Sequence, residues 1–213
     1  MSQKNFAENL RPAHVTKGVD NEQLLSDQQI RVLRAINGSL NWISSQSRPD
    51  LAVQTSFSQQ VFPHPCIKHL RDANNAIRRA KQHRDLKIQF RAIPPDRLRV
   101  CCHSDAAFAN VGTHTQAGYI LAFVDQGLDK GEISPWTPLA WKSYKLPRAV
   151  SSTLAGESQA LATASGTVEW VSLILSEALD GQFEPRLSRQ RLHDRPPILT
   201  TCLLYTSPSP RDA

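Results

Sequence analysis

Between Ser152 and Leu179 the residues Leu154, Glu157, Leu161, Ala164, Val168, Val171, Leu175 and Ala178 recur in steps of three and four, the spacing of one helix face. Glu157 is the only charged member of that stripe. An ionised carboxylate on a packing face is costly unless it is paired, hydrogen-bonded or holding a metal. Upstream, Leu98, Val100 and Cys102 alternate with Arg99, Cys101 and His103, a period-two pattern that predicts a strand ending at or near Asp105. Asp105 is the natural acid to stand near Glu157. Acids converging from a strand and a helix can hold Mg²⁺, a hard cation that prefers oxygen ligands and keeps several waters. Two such ions about 3.5–4 Å apart activate a water and stabilise the leaving oxygen of a phosphodiester. A second reading stays open on spacing alone, in which Glu157 is an acid near a helix start, stabilised by the helix dipole and a nearby Lys or Arg.

A different chemistry is suggested by the stretch from Cys66 to Arg91. It carries Lys68, Arg71, Arg78, Arg79, Lys81, Arg84, Lys87 and Arg91 against Asp72 and Asp85, so it alone accounts for the net charge of +6. Ile67, Leu70, Ala73, Ile77 and Ala80 step by three or four, which predicts a helix with one buried stripe and a basic outer surface. Such a surface can lie along a phosphate backbone, although charge alone favours a solvated helix face. The pI near 9.4 favours a polyanionic partner without naming one.

The cysteines offer less. Four of them, Cys66, Cys101, Cys102 and Cys202, do not make a disulfide scaffold, and the adjacent pair cannot easily bridge. Cys101, Cys102 and His103 lack a second ligand pair at zinc-finger spacing, so a buried thiol pair on a strand in a reducing environment is expected.

The elements that must position these groups fall into two sets. Ser26 with Gln29 has the form of a capping box, and Ile30, Leu33, Ile36, Leu40 and Ile43 follow at helical spacing. Pro49 stops that helix, and Asp50 is expected to cap a second from about Leu51 to Phe62. Pro63, Pro65, Pro94 and Pro95 punctuate the end of this helical part. Beyond it, Gly118 to Asp125 and Pro138 to Ser143 read as two further strands, and the long helix runs from near Ser152 to Leu179, where Gly181 can terminate it. Strands followed by a helix point to an α/β domain. Residues 1–92 therefore read as a helical region, 93–201 as the α/β part and 202–213 as a tail.

At 213 residues, with 40% hydrophobic and 21% charged side chains, the chain fits one ordinary domain or two small ones and is neither collagen-like nor wholly disordered. No apolar run approaches the roughly 20 residues of a membrane span, and the N-terminus does not read as a secretory signal. An intracellular setting, cytoplasmic or nuclear, with no membrane partner, is the expectation.

Four segments in order, "GSLNWISSQSRPDLAV", "CCHSDAAFAN", "QAGYILAF" and "LAWKSYKLPRAVSSTLAGESQALATA", resemble the end of the reverse transcriptase and the ribonuclease H domain of a copia-type retrotransposon Pol polyprotein. The resemblance covers approximately Leu24 to Leu179. In it, Asp105 matches the Asp of the family's S-D-A segment, and Glu157 matches the Glu after its S-S-T-like segment. Trp141 and Glu157 keep the family's separation without a gap.

This resemblance implies a ribonuclease H-like mixed sheet with a central helix, incomplete at its C-terminal end and preceded by a small helical unit. It implies hydrolysis of the RNA strand of RNA–DNA hybrids with Mg²⁺ at a two-ion site, Asp105 and Glu157 being both catalytic and metal-binding. The first 92 residues resemble the thumb and connecting region of the polymerase, which makes Lys68, Arg71, Arg78, Arg79, Lys81 and Arg84 a nucleic-acid-binding track. The rest of the polymerase becomes a partner. No Tyr-x-Asp-Asp signature occurs, so polymerase activity is not expected.

Where the family has a second acid and then Trp, this chain has Ala107 and Phe108; Leu154 stands for a Thr, and Gly156 is the small residue before the Glu. The family's third acid ends the strand after the long helix. Here Arg195 to Thr201 (RPPILTT) reads as that strand, and Cys202 stands where the acid is due. Residues 202–212 resemble the translation of a sequencing-library adapter, and their composition predicts a disordered tail. Without a third acid the chain is expected to be inactive alone, and the alternative is a catalytically dead nucleic-acid-binding remnant of a decayed element. Asp125, Asp129, Asp180 and Asp194 are expected to be structural.

Overall fold

The computed structural model describes residues 2–62, 64–111, 114–180 and 184–201. The chain divides into two compact units, Met1–Gln89 and Phe90–Ala213.

The first unit is helical: α1 (Lys4–Asn9), α2 (Asp27–Gln46), a 3₁₀ turn (Pro49–Leu51), α3 (Ala52–Gln60) and α4 (Ile67–Gln82). Ser26 and Gln29 close the capping box that starts α2: Ser26 Oγ accepts from the Gln29 N–H, and Gln29 Oε1 accepts from the Ser26 N–H. The stripe Leu33, Ile36, Leu40 and Ile43 is buried against Leu51, Ile67, Leu70, Ala73, Ile77 and Ala80, so the faces of α2 and α4 form one core. Within it Asn37 donates to the Ser58 carbonyl at 2.8 Å and accepts from the Ser58 hydroxyl at 2.6 Å, which satisfies a buried amide.

Asp50 does not cap α3. Its carboxylate takes two hydrogen bonds from Arg48, Nε and Nη2 each at 2.8 Å, and the cap position falls on Leu51 with no side-chain bond. The physical reason is the stronger partner: a two-pronged guanidinium outcompetes a single backbone N–H. Arg48 is itself buried and also donates to the Ala80 carbonyl at 3.0 Å, tying the turn to the end of α4.

The second unit is mixed α/β. β1 (Leu98–Val111), β2 (His114–Asp125) and β3 (Trp136–Lys145) form an antiparallel meander. The chain then runs through α5 (Thr153–Asp180) and α6 (Ser188–Asp194) before β4 (Ile198–Thr201) pairs parallel to β1, giving the sheet order β3-β2-β1-β4. α5 packs on the sheet face that carries Val100, Cys102 and Leu121. Its contact stripe is rotated from the expected one: Glu157, Ala164, Val168 and Leu175 are buried, but Leu154 and Ala178 are exposed, and Gly156, Ala160, Ser172 and Ser176 take their place. Small residues win because they let the helix approach the sheet. A methyl at Gly156 would already stand 3.4 Å from Thr115 Cγ2 and 3.7 Å from Ala106 Cβ.

Among the described residues no helix is long and apolar enough to cross a membrane. Gly181, as the terminator of α5, and the tail 202–213 lie outside the described residues.

Candidate functional site

Asp105 and Ala106 are consecutive on β1, so their side chains leave opposite faces of the sheet. Ala106 is buried under α5 with Ala117 and Ala160, whereas Asp105 is exposed. The Asp105 carboxylate turns back to accept the Ala106 N–H at Oδ1, 2.9 Å away. Glu157 reaches the same N–H from α5, Oε1 at 3.2 Å, and its Oε2 accepts from the Thr201 hydroxyl of β4 at 3.3 Å. Three elements thus converge on one carboxylate: α5 supplies it, while β1 and β4 hold its two oxygens.

Glu157 is 4% exposed and, among the described residues, neither it nor Asp105 has a Lys or Arg partner. Burial pushes the Glu157 carboxyl up from its ordinary value and the adjacent Asp105 carboxylate pushes it further, while the Ala106 N–H and the Thr201 hydroxyl pull the other way. The dipole reading loses ground here, because Glu157 lies beyond the first turn of α5 and the dipole acts only within that turn. That turn is instead capped by Ser152, whose hydroxyl accepts from the Ala155 N–H at 3.2 Å.

What remains is a buried acid beside an exposed one with no protein cation, an all-oxygen donor set that suits a hard divalent ion. Among the described residues no group of three or more His, Cys, Asp and Glu side chains is assembled. β4 is described as far as Thr201, opposite Ser104, the residue before Asp105. Cys202, where the resemblance expects a third acid, lies outside the described residues.

Two contributors are invisible to side-chain pattern. The Ala106 amide is main-chain chemistry, and the Thr201 hydroxyl depends on β4 returning beside β1. The neighbouring Thr200 hydroxyl lies 2.8 Å from His103 Nδ1 and donates to the Cys102 carbonyl at 3.3 Å, which pins β4 at the same end of the sheet. Cys101 and Cys102 are buried, and burial raises both thiols, that of Cys102 to about 12. They are unreactive packing residues.

Three of the four other acids singled out in the sequence, Asp125, Asp180 and Asp194, have structural partners. Asp125 is held by Arg97 and by the Gly127 N–H, and Asp180 by Arg191; Asp194 accepts from Gln190.

The basic residues of the first unit separate into two groups. Arg71 donates to Asn21 Oδ1 and, at 3.0 Å, to the Val19 carbonyl; Arg79 stands 3.6 Å from Asp50; Arg84, two residues past the end of α4, pairs with Glu8 at 3.0 Å. Lys68, Arg78 and Lys81 make no ion pair among the described residues. Charge is also unevenly divided: the first unit has thirteen Lys and Arg against seven Asp and Glu, while the second has twelve of each.

No protein-family model matches the chain, and comparisons with curated proteins and with solved structures find no match either.

Proposed function

We propose that the unit from Phe90 to Thr201 is a ribonuclease H-type phosphodiester hydrolase domain, cutting the RNA strand of RNA–DNA hybrids, within a copia-type retrotransposon Pol polyprotein. One observation carries the reading: Asp105 and Glu157, the two acids that the resemblance selects, accept from one N–H and have no protein cation to balance them. The mixed sheet with α5 across it agrees with a ribonuclease H-like arrangement.

Asp105 and Glu157 would hold Mg²⁺, which supplies an activated water and charge neutralisation at the leaving oxygen. The chain's own part is orientation. Ala106 and Thr201 fix the buried Glu157, and Asp105 presents its carboxylate at the surface, where a phosphodiester can arrive. The small residues Ala106, Ala117 and Ala160 beneath the pair let α5 sit close enough for the two acids to meet. The polymerase part of the polyprotein is the expected partner, in an intracellular setting.

The test is a variant, Cys202→Asp, which restores an acid where the family has its third. With Mg²⁺ it should cut the RNA strand of a labelled hybrid, and adding Asp105→Asn or Glu157→Gln should abolish cutting. A folded Cys202→Asp protein that neither cuts nor takes up Mg²⁺ would remove the hydrolase reading.

A second reading, binding of nucleic acid without cutting, is supported by the confinement of the whole net charge of +6 to the first unit. Its signature is a linear fall of log affinity with log salt in a chain that shows no cleavage.

A further inference from the structure

Along α4, Asn74, Ile77, Arg78 and Lys81 lie on one side of the helix, spaced by three and four residues. Facing them is the N-terminal segment at Pro12 and Ala13. Asn74 holds that segment in place twice, accepting from the Ala13 N–H at 2.8 Å and donating to the Ala13 carbonyl at 2.8 Å. Between these walls lies an open groove of about 390 Å³, lined by Pro12, Ala13, Asn74, Ile77, Arg78 and Lys81. A second hollow of about 350 Å³ shares Pro12 and Ile77 with it and is largely apolar, with Phe6, Leu10, Val32 and Ile36 in its walls. Together they make a depression whose basic lining is Arg78 and Lys81 in the first hollow and Arg11 in the otherwise largely apolar second.

We infer that this depression seats one nucleotide of a nucleic-acid strand, a refinement that rests on reading α4 as a nucleic-acid face. Arg78 and Lys81 engage consecutive phosphates, and the sugar and base lie against Pro12 and the apolar hollow. Charge complementarity selects the occupant. Arg78 and Lys81 are one helical turn apart, roughly 5–6 Å between their Cβ atoms, and neither has an ion pair among the described residues. Arg71, Arg79 and Arg84 are already tied to Asn21, Asp50 and Glu8, so they belong to the scaffold of the unit. Lys81 is half-buried and lines the groove. Asn74 is a positioning residue, because it holds the opposite wall and touches no phosphate.

The experiment uses the full chain and fluorescein-labelled oligothymidylate, with anisotropy read between about 50 and 200 mM salt. Replacing both Arg78 and Lys81 by Gln should lower the magnitude of the log–log salt slope by about 1.4, from about 0.7 per phosphate contact on a single strand. Arg84→Gln should leave the slope unchanged, and Asn74→Ala should weaken binding at every salt concentration without changing the slope. Equal slope losses from Arg84→Gln and from the Arg78 and Lys81 pair would mean a diffuse basic surface and would overturn the groove. So would an unchanged slope in the double variant. Asp105→Asn and Glu157→Gln should leave all of these values alone, so failure of the hydrolase reading and failure of the groove are separately visible.

Discussion

Asp105 on β1 and Glu157 on α5 accept from one and the same main-chain donor, the Ala106 N–H, at 2.9 and 3.2 Å. A single N–H cannot neutralise two carboxylates, and among the described residues no Lys or Arg assists. The arrangement is therefore electrostatically unfinished in the protein alone. Function and stability should pull in opposite directions at this point.

Glu157→Gln removes the buried charge while keeping both an acceptor for Ala106 and a polar partner for Thr201. It should stabilise the second unit by about 1 kcal/mol at neutral pH, the lower end of what relieving a poorly compensated buried charge yields. Urea unfolding followed by tryptophan fluorescence measures it. A destabilised Glu157→Gln protein would mean that the carboxylate is better compensated than its neighbours allow.

Gly156 sets the approach of α5 to β1 beside the acids. A Cβ there meets Thr115 Cγ2 at 3.4 Å and Ala106 Cβ at 3.7 Å, ordinary contact distances, so Gly156→Ala fits. The gain in helix propensity should stabilise it by about 0.5–1 kcal/mol. Gly156→Leu has no such room and should cost about 1–3 kcal/mol through overpacking. It should also move Glu157 away from Ala106, visible as a shifted Ala106 amide resonance.

The link between Arg97 and Asp125 gives the acid limb of the stability curve a defined contributor. The Arg97 hydrogen bonds, with the Gly127 N–H and nearby positive charge, hold the Asp125 carboxyl down at about 2, against an ordinary value of 3.8. A depressed folded-state value means that the contribution is present above the ordinary value and is lost as pH falls through about 2. In Arg97→Gln the Asp125 carboxyl should titrate closer to 3.8 by carbon-detected NMR, and the unfolding midpoint should lie below the parent's above that pH and fall less steeply with acid, the two curves converging as pH drops through about 2. Coincident acid limbs in the two proteins would contradict this.

Much of the positioning framework was legible as periodicity. The stripes of α2 and α4 and the alternation in β1 depend on large apolar residues and local spacing, as does the capping box at Ser26. What escaped were interactions decided by distant segments or by small side chains. The α5 stripe departs from the expected one at Leu154 and Ala178 because hydrophobicity ranks Leu above Gly, whereas close approach at Ala106 favours small residues, here Gly156 and Ala160. Asp50 turns away from the expected cap position because a local rule cannot weigh Arg48, whose guanidinium also reaches the Ala80 carbonyl. At the site both acids were selected by type and spacing, but the Ala106 amide and the Thr201 hydroxyl that hold Glu157 belong to other elements and leave no mark on the pattern around it.

The most direct test of the central claim is a Mg²⁺ titration of the full chain followed at the Ala106 amide and the Asp105 and Glu157 carboxyl carbons. Saturable, mutually consistent shifts at these three groups, absent in Asp105→Asn and in Glu157→Gln, are the predicted result. Shifts that persist in both variants, or no response of these groups while exposed carboxylates such as Glu169 respond, would contradict the assignment of this pair as a metal-holding site.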